Sequence, residues 1–510
     1  MTAPAPVLRL APSDPVGIAL ADLAPGTAIG IDGILACETI PRGHKVALAD
    51  IAAGADVRKF GAFIGIASQP IARGHHVHTR NLTFRPSTAA RDAVPARRNS
   101  QGTLLQISGA SFMGYARGDG RVGTRNVLLV LATVNCSATV ARRVAETFRR
   151  EVDLSTWPNI DGVVALTHQH GCSFRADGPG MAILRRTLSG YACHPNVAGV
   201  LVIGLGCEDN QVDEFMASAG LAASDRLVAL VIQQEGGTAA TVAAGVAALR
   251  GMLPRAAAAE RTRVSASHLK VGLQCGGSDG FSAISANPAL GLAVDRLVAE
   301  GGTAILSETP EIYGAEQLLI ERAATGEIAE KLKGLLSWWE EHAKLDLGTL
   351  DNNPSPGNKQ GGITTILEKS LGAVSKGGST ALQAVYAYAE AIDAPGLVFM
   401  DSPGYDPVSA TGQIASGANL ICFTTGRGSC FGCAPAPSLK IATNTPLFQR
   451  MAGDMDVNAG SILDGSASHQ QIGNQIFQLM LDTASGHRTA SETLGYGEEE
   501  FIPWSQGLTY

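Results

Sequence analysis

The chain has 510 residues, 45% of them hydrophobic and 17% charged, with 60 glycines, 24 prolines and a net charge of −7. This apolar content excludes a disordered chain, and glycine without a three-residue period excludes collagen. A mildly acidic sequence lacking a basic block is a poor match for nucleic acid, and the longest apolar runs, such as residues 127–134, fall far short of the ~20 residues that span a bilayer. Residues 1–6 carry neither the charged nor the apolar region of a signal peptide, and an odd number of cysteines, nine, reads as free thiols in a reducing cytoplasm.

In chain order, residues 7–82 read as a small β-rich unit. Short apolar runs at 7–10, 28–31, 45–48 and 63–66 are separated by Asp-Pro, Pro-Gly, Pro-Arg-Gly and Ala-Gly turns. Residues 83–105 are polar, aperiodic and arginine-bearing, the composition of a solvated linker. From residue 114 onward, apolar runs at 127–134, 163–166, 200–203, 227–232, 271–273, 304–306, 397–400 and 420–423 alternate with helical stretches such as 138–150 and 289–300. That alternation predicts parallel βαβ units, and a break near 255–268 separates a middle from a C-terminal domain.

Polar, glycine-rich clusters follow the runs: Asn135-Cys136-Ser137, Thr167-His168-Gln169-His170-Gly171-Cys172, Gly204-Leu205-Gly206-Cys207-Glu208, Gln274 through Gly280, Ser307-Glu308 with Glu311, Asp401-Ser402, and Thr424 through Cys430. Ligands of open parallel sheets bind beyond the carboxyl ends of the strands, so these clusters are the expected active-site material. His168 and His170, two apart, face the same side of an extended segment, which suits joint metal ligation or paired hydrogen bonding. Cys136, Cys172, Cys207 and Cys275 all fall at strand ends. Cys430 and Cys433 form a lone CxxC, weak evidence for zinc, and Cys37, Cys193 and Cys422 read as packing residues. No phosphate-loop or dinucleotide fingerprint is present, so nucleotide binding is not supported. Lys359, in a polar loop over residues 353–362, can bind a carboxylate or act as a base when desolvated. His44, His75, His76 and His78 read as structural.

The stretch Gly114-Tyr115-Ala116-Arg117-Gly118-Asp119-Gly120-Arg121-Val122-Gly123-Thr124-Arg125-Asn126, followed by Thr133-Val134-Asn135-Cys136, resembles the opening of the altronate/galactarate dehydratase family. His170-Gly171-Cys172, Gly204-Leu205-Gly206-Cys207-Glu208, Cys275-Gly276-Gly277-Ser278-Asp279, residues 353–369 and Thr425-Gly426-Arg427-Gly428 extend that resemblance collinearly over nearly the whole chain. The N-terminal unit, with Pro41-Arg42-Gly43-His44-Lys45 and Val77-His78, is similar to the SAF (β-clip) domain of that family, although Arg80 stands where a second histidine is expected. The resemblance implies an α/β protein with an SAF domain over 1–82, a linker over 83–105, a dimerising middle α/β domain over 106–265 and a Rossmann-like, mostly parallel C-terminal domain over 266–510. It further implies an iron-dependent, oxidant-sensitive dehydratase acting on a small sugar acid as a cytoplasmic homodimer, with no nucleic-acid or membrane partner.

Loss of water from a 2,3-dihydroxy acid gives an enol that ketonises to a 2-keto-3-deoxy acid. The C2 proton is so weakly acidic beside a carboxylate that a base alone is insufficient, and a divalent metal would stabilise the enediolate. Thiolates with imidazole favour Fe2+ over Mg2+; Mn2+, or an iron–sulfur cluster with one open iron, are alternatives. The expected ligands are Cys172, Cys207 and Cys275 with His168, and a plain Fe2+ site using Asp279, Glu308 or Glu311 competes. His170 or Lys359 is the expected base, with Asp279 and Glu308 in the catalytic set. Arg125 and Arg427 would grip the substrate carboxylate bidentately, beside Asn126 and Ser278. An altronate-like aldonate is the leading substrate. Galactarate, a sulfonated hydroxy acid that loses sulfite, and a non-catalytic metabolite-binding role are the alternatives.

Overall fold

The computed structural model describes residues 6–86, 93–95, 109–345 and 348–506, so most of the expected linker lies outside the described residues. The N-terminal domain consists of two small antiparallel sheets. One is ordered Val7–Leu8, Val16–Ala19, Lys45–Ala47, His76–Val77, and the other Asp56–Lys59, Ala62–Ala67, Leu82–Thr83. Each covers its own small core, around Val46 and Ile40 in one and Val57 and Ile64 in the other. The run at 28–31 forms only an isolated bridge, Ala28 to Leu35.

The middle domain is a parallel sheet ordered Gly162–Leu166, Val127–Ala132, Val197–Gly204, Leu227–Val231. The central strand is buried throughout, as a parallel strand covered on both faces must be. Its side chains alternate: Leu128 and Val130 meet the helices Ala138–Glu151 and Thr238–Ala257, while Leu129 and Leu131 meet Pro179–Ala192 on the opposite face. An antiparallel ribbon, Arg261–Ser265 against Ser111–Ala116 and Val122–Gly123, joins the start and end of the domain.

The C-terminal domain carries seven parallel strands ordered Leu382–Tyr386, Gly396–Met400, Thr303–Leu306, Lys270–Cys275, Leu420–Thr425, Ser438–Ala442, Val457–Asn458. Strand order runs outward in both directions from Lys270–Cys275. The crevice beyond the carboxyl ends of this strand and Leu420–Thr425 is therefore the topological switch point, where open α/β sheets bind ligands. The two loops there are stapled, the N–H groups of Gly426 and Arg427 donating to the Gly277 carbonyl at 3.1 and 2.9 Å. Against this crevice lies the N-terminal domain. A Cβ added to Gly280 would stand 2.0 Å from the Gly43 carbonyl oxygen, and one on Gly362 2.3 Å from it, so only glycine allows the backbones to meet this closely. Among the described residues, no helix is long and apolar enough to cross a membrane.

Candidate active site

A buried polar cluster fills the switch-point side of the C-terminal sheet. Cys275 ends its strand, Glu308 and Glu311 follow Thr303–Leu306, and Asp406 opens the helix Asp406–Ala415. Lys369 and Lys376, two turns apart, come from helix Ile366–Ser375 and its C-cap. Lys376 Nζ donates to Cys275 Sγ at 2.9 Å and lies 3.9 Å from Glu308. Lys369 Nζ donates to Glu311 at 2.7 Å and to Asn353 Oδ1 at 2.6 Å. The cluster thus sets three carboxyl groups against two ammonium groups, and the deficit falls on Glu308. This residue is 1% exposed, and neither of its carboxylate oxygens has a hydrogen-bond partner. Its backbone sits in the left-handed region at φ 71°, a strain of about 1–3 kcal/mol for a residue other than glycine.

Burial, reinforced by Glu311, holds the Glu308 carboxyl well above the usual range and pushes Asp406 up to about 7. Burial likewise raises the Cys275 thiol to about 11, against the pull of Lys376. For Lys369 burial opposes the charge, but Glu311 and Cys275 outweigh it and keep the ammonium protonated. Cys275, Glu308 and Glu311 present one sulfur and two carboxylate oxygens within 4.8 Å of one another, the one group of three or more such donors so gathered among the described residues. A mixed thiolate–carboxylate set in which the Glu308 oxygens have no hydrogen-bond partner fits a divalent transition ion such as Fe2+ or Mn2+.

Three imidazoles line the N-terminal domain's face of the junction. His44 Nδ1 lies 3.0 Å from His76 Nε2, His44 Nε2 donates to the Gln360 carbonyl at 2.9 Å, and His78 Nε2 donates to the Lys359 carbonyl at 2.7 Å. Burial lowers all three, His76 to about 3 and His78 to about 4, so the rings are neutral. Gln360 also accepts from Arg427 at 3.2 Å, which puts Arg427 and the Lys359 segment at the same junction. Lys45 and Lys59 of the N-terminal domain each reach Glu368 at 2.8 Å, one residue before Lys369. The helix that docks this domain is therefore the helix that holds the buried cluster.

Several expected site residues are placed differently. Asp279 is buried at the crevice, but its carboxylate accepts from the Phe281 N–H, Ser282, Thr443 and Asn444, which makes it a strut between loops. Ser278 lines the same crevice beside Cys275, and its carbonyl accepts from Asn358. Arg125 and Asn126 precede the strand Val127–Ala132 and so lie at the opposite edge of the middle sheet from its ligand-binding end. Arg125 spends its donors on Glu492 and on the carbonyls of Thr124, Thr483 and His487, and Asn126 spends its amide on those of Asn159 and Ala256. Arg125 therefore ties the middle domain to the C-terminal one, and Asn126 ties segments within the middle domain, instead of gripping substrate. Arg125→Ala is expected to cost about 3–5 kcal/mol by stranding Glu492, with KM unchanged in the folded fraction, as urea melts and kinetics would show.

The expected metal set is not gathered either. Cys275 belongs to the C-terminal sheet, whereas Cys172 and Cys207 are exposed at the middle one. Buried His168 has both ring nitrogens engaged, Nε2 with the Ala132 carbonyl and Nδ1 with the His170 N–H, so it fixes its loop. His170, the alternative base, stays with that loop in the middle domain. Lys369, Lys376, Asp406 and the three-imidazole cluster lie outside the site residues expected from the sequence. The two-turn spacing of the lysines was their one sequence signal.

Family models match along the whole length. Residues 5–85 match the altronate/galactarate dehydratase SAF domain, 114–257 the second domain of D-galactarate dehydratase/altronate hydrolase, and 266–509 the C-terminal domain of D-galactarate/altronate dehydratase. The chain is 37% identical to altronate dehydratase of Escherichia coli K12 over 95% of this chain and 96% of the relative. It is 36% identical to the galactarate dehydratase (L-threo-forming) of the same organism, over 90% and 88%. It is also 33% identical to the β subunit of (2R)-sulfolactate sulfo-lyase from Chromohalobacter salexigens, over 77% of this chain and 97% of the relative. By three domain matches in order and identity sustained across full-length relatives, the chain belongs to the altronate/galactarate dehydratase family.

Proposed function

We propose that this protein is a sugar-acid dehydratase, a hydro-lyase that converts a 2,3-dihydroxy acid to a 2-keto-3-deoxy acid, with an altronate-like aldonate as its substrate. The observation that carries the reading is the partnerless Glu308 carboxylate in a buried cluster with two lysines and a raised aspartic acid. Lys369 and Lys376 supply fixed positive charge where the enediolate develops, in a site too dry to screen it. Asp406, poised at about 7, donates the proton that the departing C3 hydroxyl needs. Arg427 at the domain junction takes the substrate carboxylate, and Lys359 beside it takes the C2 proton as the base. Cys275, Glu308 and Glu311 would hold a ferrous ion, which would supply Lewis acidity when bound. Nine free cysteines support a reducing, cytoplasmic setting, and the family resemblance supports a homodimer, which light scattering would measure.

The test is anaerobic assay of the purified protein with Fe2+ and reductant against altronate, galactarate, other aldonates and sulfolactate, with keto acid and sulfite both followed. Keto acid from one sugar acid, abolished by chelation, is the expected result. Sulfite release would move the protein to the sulfo-lyase branch, and silence across the panel would overturn the reading. With the preferred substrate, kcat/KM should fall as pH rises above about 7, and Asp406→Asn should remove that limb.

A further inference from the structure

We propose that Cys136, Cys172 and Cys207 form a second metallocentre, a three-thiolate site for an iron–sulfur cluster at the ligand-binding edge of the middle domain. Cysteine is ordinarily among the most buried residue types, and Cys275, Cys422 and Cys433 follow that rule here. Cys37 and Cys430 depart from it singly, and the middle-domain trio departs from it together. All three are exposed, and each lies just beyond the carboxyl end of one of three adjacent parallel strands, Gly162–Leu166, Val127–Ala132 and Val197–Gly204.

Their loops are tied to one another at positions next to the cysteines. The Asn135 N–H donates to the His170 carbonyl and the Asn210 N–H to the Gly171 carbonyl, both at 3.0 Å, while Asn210 Nδ2 reaches the Thr133 carbonyl at 3.1 Å. Gly171, at φ 100°, packs so closely that a Cβ there would lie 2.4 Å from the Thr133 oxygen, so the Cys172 loop is pressed onto the one that carries Cys136. Glu208 turns inward, accepting the N–H groups of Leu205 and Gly206, and fixes the turn that presents Cys207. Three thiols are thus held on a prepared, exposed edge, with Gln233 Nε2 donating to Cys207 Sγ at 3.5 Å.

Spacing selects the ligand. Neighbouring strands lie about 4.8 Å apart, so three consecutive strand ends span roughly 10 Å. The trio's sulfurs are not gathered within 4.8 Å of one another, too wide a set for a single ion. A cuboidal cluster suits thiolates set wider apart than the ligands of one ion, because each thiolate binds a different iron. Three soft thiolates select iron–sulfur over hard cations, and they leave the fourth iron open to a carboxylate or hydroxyl oxygen. Assembly balances: two ferrous ions, two ferric ions and four sulfides join three thiolates, each thiol releasing one proton, with no electron left over. The inference does not rest on the dehydratase reading, since that reading uses the Cys275 cluster in the other sheet.

The experiment is anaerobic reconstitution of the full chain with ferrous and ferric iron and sulfide, followed by iron and acid-labile sulfide analysis, visible absorption, and electron paramagnetic resonance after reduction. We expect about four irons and four sulfides per chain, with sulfur-to-iron charge-transfer absorption. Cys136→Ser, Cys172→Ser and Cys207→Ser should each abolish the absorption, while Cys37→Ser, Cys430→Ser and Cys275→Ser retain it. Should the serine variants misfold, alkylation of the wild-type chain decides instead: the three cysteines should label in the apo protein and be protected after reconstitution. Iron bound without sulfide, or a cluster indifferent to Cys136→Ser, would overturn the proposal. Dehydration without any cluster would sink this inference alone, and a cluster without dehydration would sink the functional reading alone.

Discussion

Glu308→Met is expected to make the metal-free protein more stable and catalytically dead. The wild-type cluster sets Glu308, Glu311 and Asp406 against Lys369 and Lys376, and neither oxygen of Glu308 has a hydrogen-bond partner. Replacing a buried polar group that lacks a donor with an apolar side chain of similar length removes a desolvation penalty of about 1–3 kcal/mol, and it leaves two carboxyls facing two ammoniums. Methionine keeps the left-handed backbone strain of the site unchanged, so the gain reports the carboxylate itself. Turnover should fall at least ~10³-fold, the scale for losing one preorganised electrostatic or proton-transfer group. Ferrous ion should raise the melting temperature of the wild type by mass action and leave the variant where it was. Calorimetry of chelated and iron-loaded samples reads both signs. A variant that loses stability without metal would mean that Glu308 has a partner in solution, and the site would need a different centre.

Asp406 gives the same argument a pH axis. Its folded pKa of about 7 lies above the unfolded value of 3.8, so between these values the folded state holds a proton that the unfolded chain has released. Stability therefore declines as pH rises from about 4 to 7, by about 4 kcal/mol in total, and stays at the lower level above that. Asp406→Asn should flatten this slope.

Strands buried on both faces announce themselves as unbroken apolar runs, which is why all eight runs from residue 127 onward appear as strands within a few residues of their expected bounds. Strands with charged or short sequences stayed hidden. Ser438–Ala442 has the wholly buried Lys440 at its centre, and Asp56–Lys59 ends on the buried Lys59, both residues that read as surface in one dimension. Cys275 and Glu308 were legible because they follow their strands. Arg125 and Asn126 mislead because the glycine-rich stretch carrying them comes before its strand, at the wrong edge of a parallel sheet, where Arg125 serves the domain junction and Asn126 the middle domain itself. Lys369, Lys376 and Asp406 reach the site from two helices, and no local spacing ties them to a strand more than 90 residues away in sequence; only the packed sheet does.

Glu368→Ala should release the N-terminal domain and silence the site without touching a residue of the buried cluster. The carboxylate accepts from Lys45 and Lys59, each at 2.8 Å, and from the N–H and hydroxyl of Thr364. Burial opposes its charge, but the two ammoniums outweigh burial and hold its pKa well below the usual range. Removing it strands two buried ammoniums with the Gly362 carbonyl as the chief remaining partner, a cost of about 3–5 kcal/mol. That cost falls at the contact between domains, so undocking is the cheapest relief, and limited proteolysis should cut near the linker before the C-terminal domain melts. The sign with pH follows from the depressed pKa. The triad's stabilisation is full above the unfolded value of 4.5 and drains as pH falls below it, a limb that Glu368→Ala should lack. Converting the triad together, Lys45→Met, Lys59→Met and Glu368→Leu, removes every stranded charge and should recover docking. If the triple variant docks but still fails to turn over, the lysines serve the reaction as well as the interface. If Glu368→Ala keeps both docking and activity, helix Ile366–Ser375 does not couple the two domains, and the shared-helix account of the site fails.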